Sequence, residues 1–171
     1  MACGCSTGSS PRITRRREPK AVAEVLFYHL TESRLEDALP ELLERSLQRG
    51  WRAVVQAVTE ERRDALDHHL WVFRDESFLP HGTDAEAGGH RQPILLTIDP
   101  AQGANDPQIR FMVEGAVPAD LAPYVRGVYL FDGHDDSQLA TARARWKAEK
   151  QAGHDVTYWQ QSEDRRWLKK A

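Results

Sequence analysis

The sequence predicts a single α/β domain with a mostly parallel mixed sheet covered by helices. Three observations predict this. Strand-like apolar runs alternate with stretches of helical period in the first half of the chain, the pattern of right-handed βαβ crossovers. A length of 171 residues is enough for one hydrophobic core. The composition, 40% hydrophobic and 29% charged, is that of an ordinary globular protein.

Residues 1–20 contain Ser, Gly, Pro and an arginine run with almost nothing to bury, so they read as a disordered extension before a domain at 21–171. They lack the apolar segment of a secretory signal. Ala21–Leu30 is an apolar run rich in strand formers. Ser33 and Glu36 then have the spacing of a capping box, opening a helix over about 34–49 with Leu35, Leu39, Leu42, Leu43 and Leu47 on one stripe. Gly50 stands where a helix stops. Arg52–Val58 is a second strand, and Thr59 caps a helix over 60–72 with Ala65, Leu66, Leu70 and Val72 as its apolar residues. Residues 74–92, punctuated by Pro80, Gly82, Gly88 and Gly89, read as a long irregular loop. Strands follow at Pro93–Ile98, Ile109–Val113 and Val125–Phe131, the first two of these consecutive and able to pair as a hairpin. A last helix covers 138–152, capped by Asp136 or Ser137 and closed by Gly153, and Val156–Trp159 adds a short edge strand.

The net charge of −3 hides an asymmetry. The first 20 residues carry five basic side chains against one acid, +4, so the remainder is −3 − 4 = −7. An acidic body argues against broad, non-specific DNA binding, and any contact with nucleic acid should be local or indirect. The two cysteines, Cys3 and Cys5, lie at the very start, which fits a reducing cytoplasm and excludes a disulfide framework. No stretch approaches the roughly 18 apolar residues of a membrane helix.

A fold of this class invites a nucleotide-binding reading, but the first strand exits into Thr31-Glu32-Ser33-Arg34. No glycine-rich phosphate loop or dinucleotide fingerprint occurs anywhere, and Glu32 would repel phosphate. No Gly-x-Ser-x-Gly elbow surrounds Ser77, and the adjacent His68 and His69 point about 100° apart on a helix, too far to chelate one ion. Neither catalytic residues nor metal ligands nor a cofactor site emerge.

Two groups of residues stand out as binding candidates. On the last helix Arg143, Trp146, Lys147 and Lys150 share about 100° of arc. Ala140, Ala144 and Ala148 form a ridge whose centre is about 160° from Trp146. With that ridge on the sheet, the indole faces solvent among three cations, a surface for an acidic peptide with an apolar end. Alternatively, Trp146 covers an edge of the core and the cations are solvated. Trp71, Phe73, Phe78, Leu79 and Pro80 cluster at a helix end. Phe73 reads as core beneath the loop, while Trp71, Phe78 and Pro80 suit either core or a partner hot spot.

The run Leu70-Trp71-Val72-Phe73-Arg74-Asp75-Glu76-Ser77-Phe78-Leu79-Pro80-His81-Gly82 resembles the chi subunit family of bacterial DNA polymerase III, with its helix ending in Leu-Trp followed by Glu-Ser-Phe-x-Pro-His. Val25–Leu30 is similar to that family's opening strand and Arg145–Gly153 to its closing helix, with Trp146 where Tyr is frequent. The resemblance spans roughly 22–160 and is loose over 84–123. It implies a nucleotide-binding-like fold without the phosphate loop, and a non-catalytic adaptor in DNA replication. It implies two partners: the psi subunit, which tethers chi to the clamp loader, and the acidic C-terminal tail of single-stranded-DNA-binding protein. It places the tail on Arg143, Trp146, Lys147 and Lys150, and psi on Trp71, Phe78 and Pro80. DNA contact would be mainly indirect. Two rival readings are an α/β nucleotide-dependent enzyme with an unfamiliar site, and a direct single-strand binder stacking bases on Trp146.

Overall fold

The structure, a computed structural model, describes residues 22–101 and 103–171. The extension expected over 1–20, with both cysteines, lies outside the described residues. The elements run β1 (Glu24–Leu30), α1 (Leu35–Gln48), β2 (Ala53–Gln56), α2 (Glu60–Val72), β3 (His81–Thr83), a 3-10 turn at Gly89–Arg91, β4 (Ile94–Thr97), β5 (Ile109–Val113), β6 (Arg126–Asp132), α3 (Asp136–Gln151), β7 (Asp155–Gln161) and β8 (Trp167–Lys169). One sheet contains all eight strands in the order β3-β4-β2-β5-β6-β1-β7-β8. Every pair is parallel except β7 with β8. This is the single, mostly parallel mixed sheet covered by helices that the sequence predicts.

Alternation along the strands divides the core into two layers. Leu26 and Leu30 of β1, Ile109, Phe111 and Val113 of β5, and Val128 and Leu130 of β6 meet α1 and α2. Val25 and Phe27, Met112, and Tyr129 and Phe131 meet α3 on the other face. Helix α1 buries Leu35, Leu39 and Leu43 and half-buries Leu42 and Leu47, so its predicted stripe is its inner face. Pro40 sits inside that helix and has no N–H to offer Glu36. The freed Glu36 carbonyl bonds instead to His69 Nε2 of α2 at 2.7 Å, joining the two helices.

Several expectations need correction. The strands at 94–97 and 109–113 do not form a hairpin; each lies parallel to β2, on opposite sides of it. Their connection crosses β2 on the α3 face, where Asn105 Nδ2 donates to the Ala53 carbonyl at 2.9 Å. Arg110 anchors it. Wholly buried at 0% exposure, its guanidinium donates to Gln56 Oε1 (2.8 and 3.2 Å), the Tyr124 hydroxyl (2.9 Å), and the carbonyls of Asp99 (2.7 Å) and Ala101 (2.8 Å). No carboxylate pairs with it among the described residues. The loop 74–92 holds β3 and the 3-10 turn, and Gly89 there is obligatory because a Cβ would lie 2.0 Å from the Thr83 carbonyl oxygen. In α2 only Leu66 and Leu70 of the four expected apolar residues are buried. The final strand is no edge: β7 lies between β1 and β8, and the edge is β8, which follows a turn with Arg165 at φ 61°.

Candidate functional site

The carboxyl ends of β1 and β6 open into a cavity of about 440 Å³, the crevice where folds of this class bind phosphates. Here the backbone amides of Glu32 and Ser33, which would face a phosphate, both donate to Gln161 Oε1, at 3.3 and 3.0 Å. Gln161 Nε2 donates in turn to Ser33 Oγ at 3.0 Å. This engagement is why the expected capping box does not form: α1 begins at Leu35, and Arg34 at its N-cap supplies no side-chain bond. Glu36 turns instead to Arg62, which bridges it (2.9 Å) and Glu114 (2.6 Å). Burial is the largest single influence on Glu36 and works against its ionisation, but the hydrogen bond from Arg62, a backbone hydrogen bond and the Arg62 charge together outweigh it and hold the carboxyl below its usual range. With Glu32 and Asp132 on the walls beside Arg34, and Glu36 and Glu114 paired with Arg62, the crevice offers a phosphate neither free loop amides nor a clear excess of positive charge.

A different hollow, of about 550 Å³, opens beside α3 on the opposite face of the sheet. Its floor is apolar: Phe131 of β6, Tyr158 of β7, and Leu139, Ala142 and Trp146 of α3. Arg143 and Lys147 stand on its rim, and Lys150 Nζ lies 4.6 Å from the centre of the Trp146 ring. All three cations are solvent-exposed, and none makes an ion pair among the described residues. The structure therefore brings Arg143, Trp146 and Lys147 to one groove, with Lys150 against the indole beside it, and it does not place the alanine ridge on the sheet. Ala140 and Ala144 face solvent, and Trp146 is half-buried against Phe27 (ring centres 5.3 Å apart) and Tyr158 (5.8 Å), both edge-on.

The inner face of α3 is set by polar groups that the apolar pattern could not flag. Glu149, 3% exposed, accepts from the Tyr129 hydroxyl at 2.8 Å and from Arg145 Nη2 at 2.5 Å. Its other oxygen lies 3.7 Å from His154 Nε2, whose Nδ1 accepts from the Ala23 amide at 3.0 Å. This cluster turns the 145–149 face to the sheet, carries Trp146 inward with it, and leaves Ala140 and Ala144 outside.

Sequence reasoning missed His29 in this groove. It stacks on Phe131 (5.2 Å) and its Nδ1 bonds the Tyr158 hydroxyl at 2.7 Å. Burial, with His134 adding to it, pushes its pKa down, so the ring is neutral near pH 7. Gly133 allows it that place, because a Cβ there would sit 2.2 Å from His29 Nε2. Burial raises the Tyr158 pKa against the nearby charge of Arg143. An aromatic floor under unpaired cations can bind an extended anionic chain that carries apolar side chains.

The second candidate surface lies at the far end of the sheet, after α2. Trp71 is 54% and Phe78 69% exposed, with ring centres 5.9 Å apart, and Val72 beside them is exposed too. Pro80 is half-buried, Leu79 is the buried anchor of the segment, and Phe73 packs on the core. Trp71 rests on the ring of His81 (4.6 Å), which is buried and bonded to the Asp67 carbonyl at 3.0 Å. So Phe78 is surface, not core. Phe78→Ala should change the unfolding free energy by less than about 0.5 kcal/mol, as read by urea denaturation; a loss of core magnitude would overturn that placement.

Among the described residues no group of His, Cys, Asp or Glu could hold a metal ion, and no helix is long and apolar enough to cross a membrane. The sequence model of the family described as DNA polymerase III chi subunit, HolC, matches residues 22–157. A protein of Rickettsia prowazekii named probable DNA polymerase III subunit chi is 23% identical over 103 residues, 60% of this chain and 60% of its own length. The DNA polymerase III subunit chi of Escherichia coli is 26% identical over 124 residues, 72% of this chain and 84% of its own length.

Proposed function

The chain belongs to the DNA polymerase III chi subunit family, and from that premise we propose that it is a non-catalytic adaptor of the replication machinery. Its α3 groove takes the acidic C-terminal tail of single-stranded-DNA-binding protein. Its Trp71–Phe78–Pro80 surface takes the psi subunit, which tethers it to the clamp loader. The observation that carries this reading is the α3 groove, where Arg143 and Lys147 stand without ion-pair partners among the described residues beside an aromatic floor and Lys150 lies over the Trp146 ring. The two surfaces lie toward opposite ends of the sheet, β3 at one end and β7 near the other, so one partner need not displace the other.

The physics of the groove sets the test. Exposed ion pairs contribute little one by one, but an arginine–carboxylate pair drawn out of water contributes about 1.5–3 kcal/mol. A labelled peptide of the tail should bind, more weakly as salt is added. Arg143→Ala should weaken it roughly tenfold or more with the melting temperature unchanged, because Arg143 is exposed. Parent-like peptide binding in both Arg143→Ala and Lys147→Ala would refute the assignment. Trp146→Ala is a poorer probe, since the indole also packs on Phe27. For the second surface, Phe78→Ala should weaken psi binding while leaving peptide binding as in the parent; unchanged psi binding removes that assignment.

A further inference from the structure

Part of one sheet face carries no helix. Helices α1 and α2 cover the β4-to-β6 part of their layer, and β7 and β8 beyond it lie bare on that side. Three aromatic side chains stand there half-buried: Tyr28, Trp159 and Trp167. Tyr28 and Trp159 lie nearly parallel (15° between planes, centres 6.4 Å apart), and Trp167 meets Tyr28 edge-on at 4.6 Å. The indole N–H of Trp159 is buried and has no acceptor. Trp167 lies beyond the segment that the family shares, 22–157.

Beside this shelf, along the flank of α1, is a hollow of about 90 Å³, the scale of one phosphate group rather than of a side chain with a ring. Its floor is apolar, with Leu26, Phe111 and Val128, and three arginines, Arg45, Arg49 and Arg126, stand among its lining residues. Arg49 and Arg126 both lie over the Trp51 ring, at 5.3 and 5.2 Å. Arg126 is paired with Glu24. Arg45 and Arg49 are exposed and make no ion pair among the described residues. A second hollow continues from Leu42 and Arg45 toward Trp167, where Asp37 and Glu41 offset Arg165, so the more positive end is the one with Arg45, Arg49 and Arg126.

We propose that this uncovered face binds a short stretch of single-stranded nucleic acid, with one phosphate among Arg45, Arg49 and Arg126 and a neighbouring base on the Tyr28–Trp167 shelf. Arginine forks suit phosphate oxygens, and aromatic faces accept any base. The net charge of −7 outside the first 20 residues confines the contact to this patch and disfavours duplex, whose charge density is greater. The site is on the opposite face of the sheet from the α3 groove, so the adaptor meets both the coated strand's protein and a few exposed nucleotides.

The test is fluorescence anisotropy of a labelled oligothymidylate about 15 nucleotides long, at low ionic strength, with the full chain. Binding should fall at least tenfold in the Arg45→Ala/Arg49→Ala double variant and be unchanged in Arg143→Ala/Lys147→Ala. Trp167→Ala should weaken it several-fold. Melting temperatures, expected to be parental because both arginines are exposed, separate loss of binding from loss of fold; if the double variant melts early, Arg45→Gln alone takes its place. The proposal is overturned by absence of binding, by binding that depends on Arg143 and Lys147 instead, or by polyglutamate competing as well as the unlabelled oligonucleotide. The last outcome would make the occupant an acidic peptide. None of these readings uses the tail peptide, so failure here leaves the adaptor reading standing, and the reverse.

Discussion

Arg110→Met is expected to lower the unfolding free energy by about 3–5 kcal/mol, a fall of roughly 10 °C in Tm for a domain of this size. Many buried ion pairs can be exchanged for apolar side chains at little cost, because both charges leave together. Arg110 has no such partner. Its acceptors are Gln56, Tyr124 and the carbonyls of Asp99 and Ala101, all of which stay behind when the guanidinium goes. Methionine fills the space but donates nothing, and each acceptor left buried costs about 1–3 kcal/mol. Arg110→Lys should fall between the two, since one ammonium cannot reach four acceptors on different segments. Denaturant titration reads the loss directly, and amide exchange should show the 99–107 connection loosened first. A loss below about 1 kcal/mol in the methionine variant would mean those acceptors find other donors.

Glu149→Ala should cost about 2–3 kcal/mol, the scale of charge-assisted hydrogen bonds lost from a buried site. Arg145 can swing to solvent, but the Tyr129 hydroxyl and His154 cannot. The same cluster makes the fold alkali-sensitive. Burial first, and the Glu149 charge second, hold the Tyr129 pKa well above its ordinary value, and burial likewise raises Tyr28 and Tyr158. A tyrosine whose pKa is raised in the fold keeps its proton while the unfolded chain ionises. Its stabilising contribution is therefore complete below about pH 10 and lost as the pH rises beyond that. The urea midpoint should decline above that pH, and less steeply in Tyr129→Phe. A flat midpoint well into tyrosine ionisation, or a parental slope in Tyr129→Phe, would contradict this.

The long apolar runs and the leucine stripe of α1 made β1, β2, β4, β5, β6 and α1 legible, because burial on a sheet face writes a period into the chain. Short elements carried no such signal. His81-Gly82-Thr83 becomes β3 through pairing with β4 alone, and Trp167-Leu168-Lys169 becomes β8 after a turn with no glycine in it. The cations of the α3 groove were legible from helical spacing. Its floor was not, because His29, Phe131 and Tyr158 stand on three strands that only sheet order brings side by side. Helical spacing leaves two orientations open for Trp146, and the structure takes the one that covers the core edge, for a related reason. Three alanines spaced four apart imitate a packing ridge, whereas the true inner face contains Arg145 and Glu149, whose burial depends on Tyr129 across the layer.

The central position of β1 has a consequence for how the chain acquires its fold. The first strand made is flanked by β6 and β7, whose partner residues begin at Arg126 and Asp155. A polypeptide emerging from the ribosome must therefore hold β1 with both hydrogen-bonding edges open until about three quarters of it has been synthesised. Non-local parallel pairing of this kind makes folding slow, because loop closure must come before the contacts that repay it. During that interval Val25-Leu26-Phe27-Tyr28 is an exposed, uncharged strand of the type that recruits other strands. Truncated forms ending before β6 should aggregate rather than persist as soluble folded fragments, and the yield of native protein should depend on what shelters β1 during synthesis.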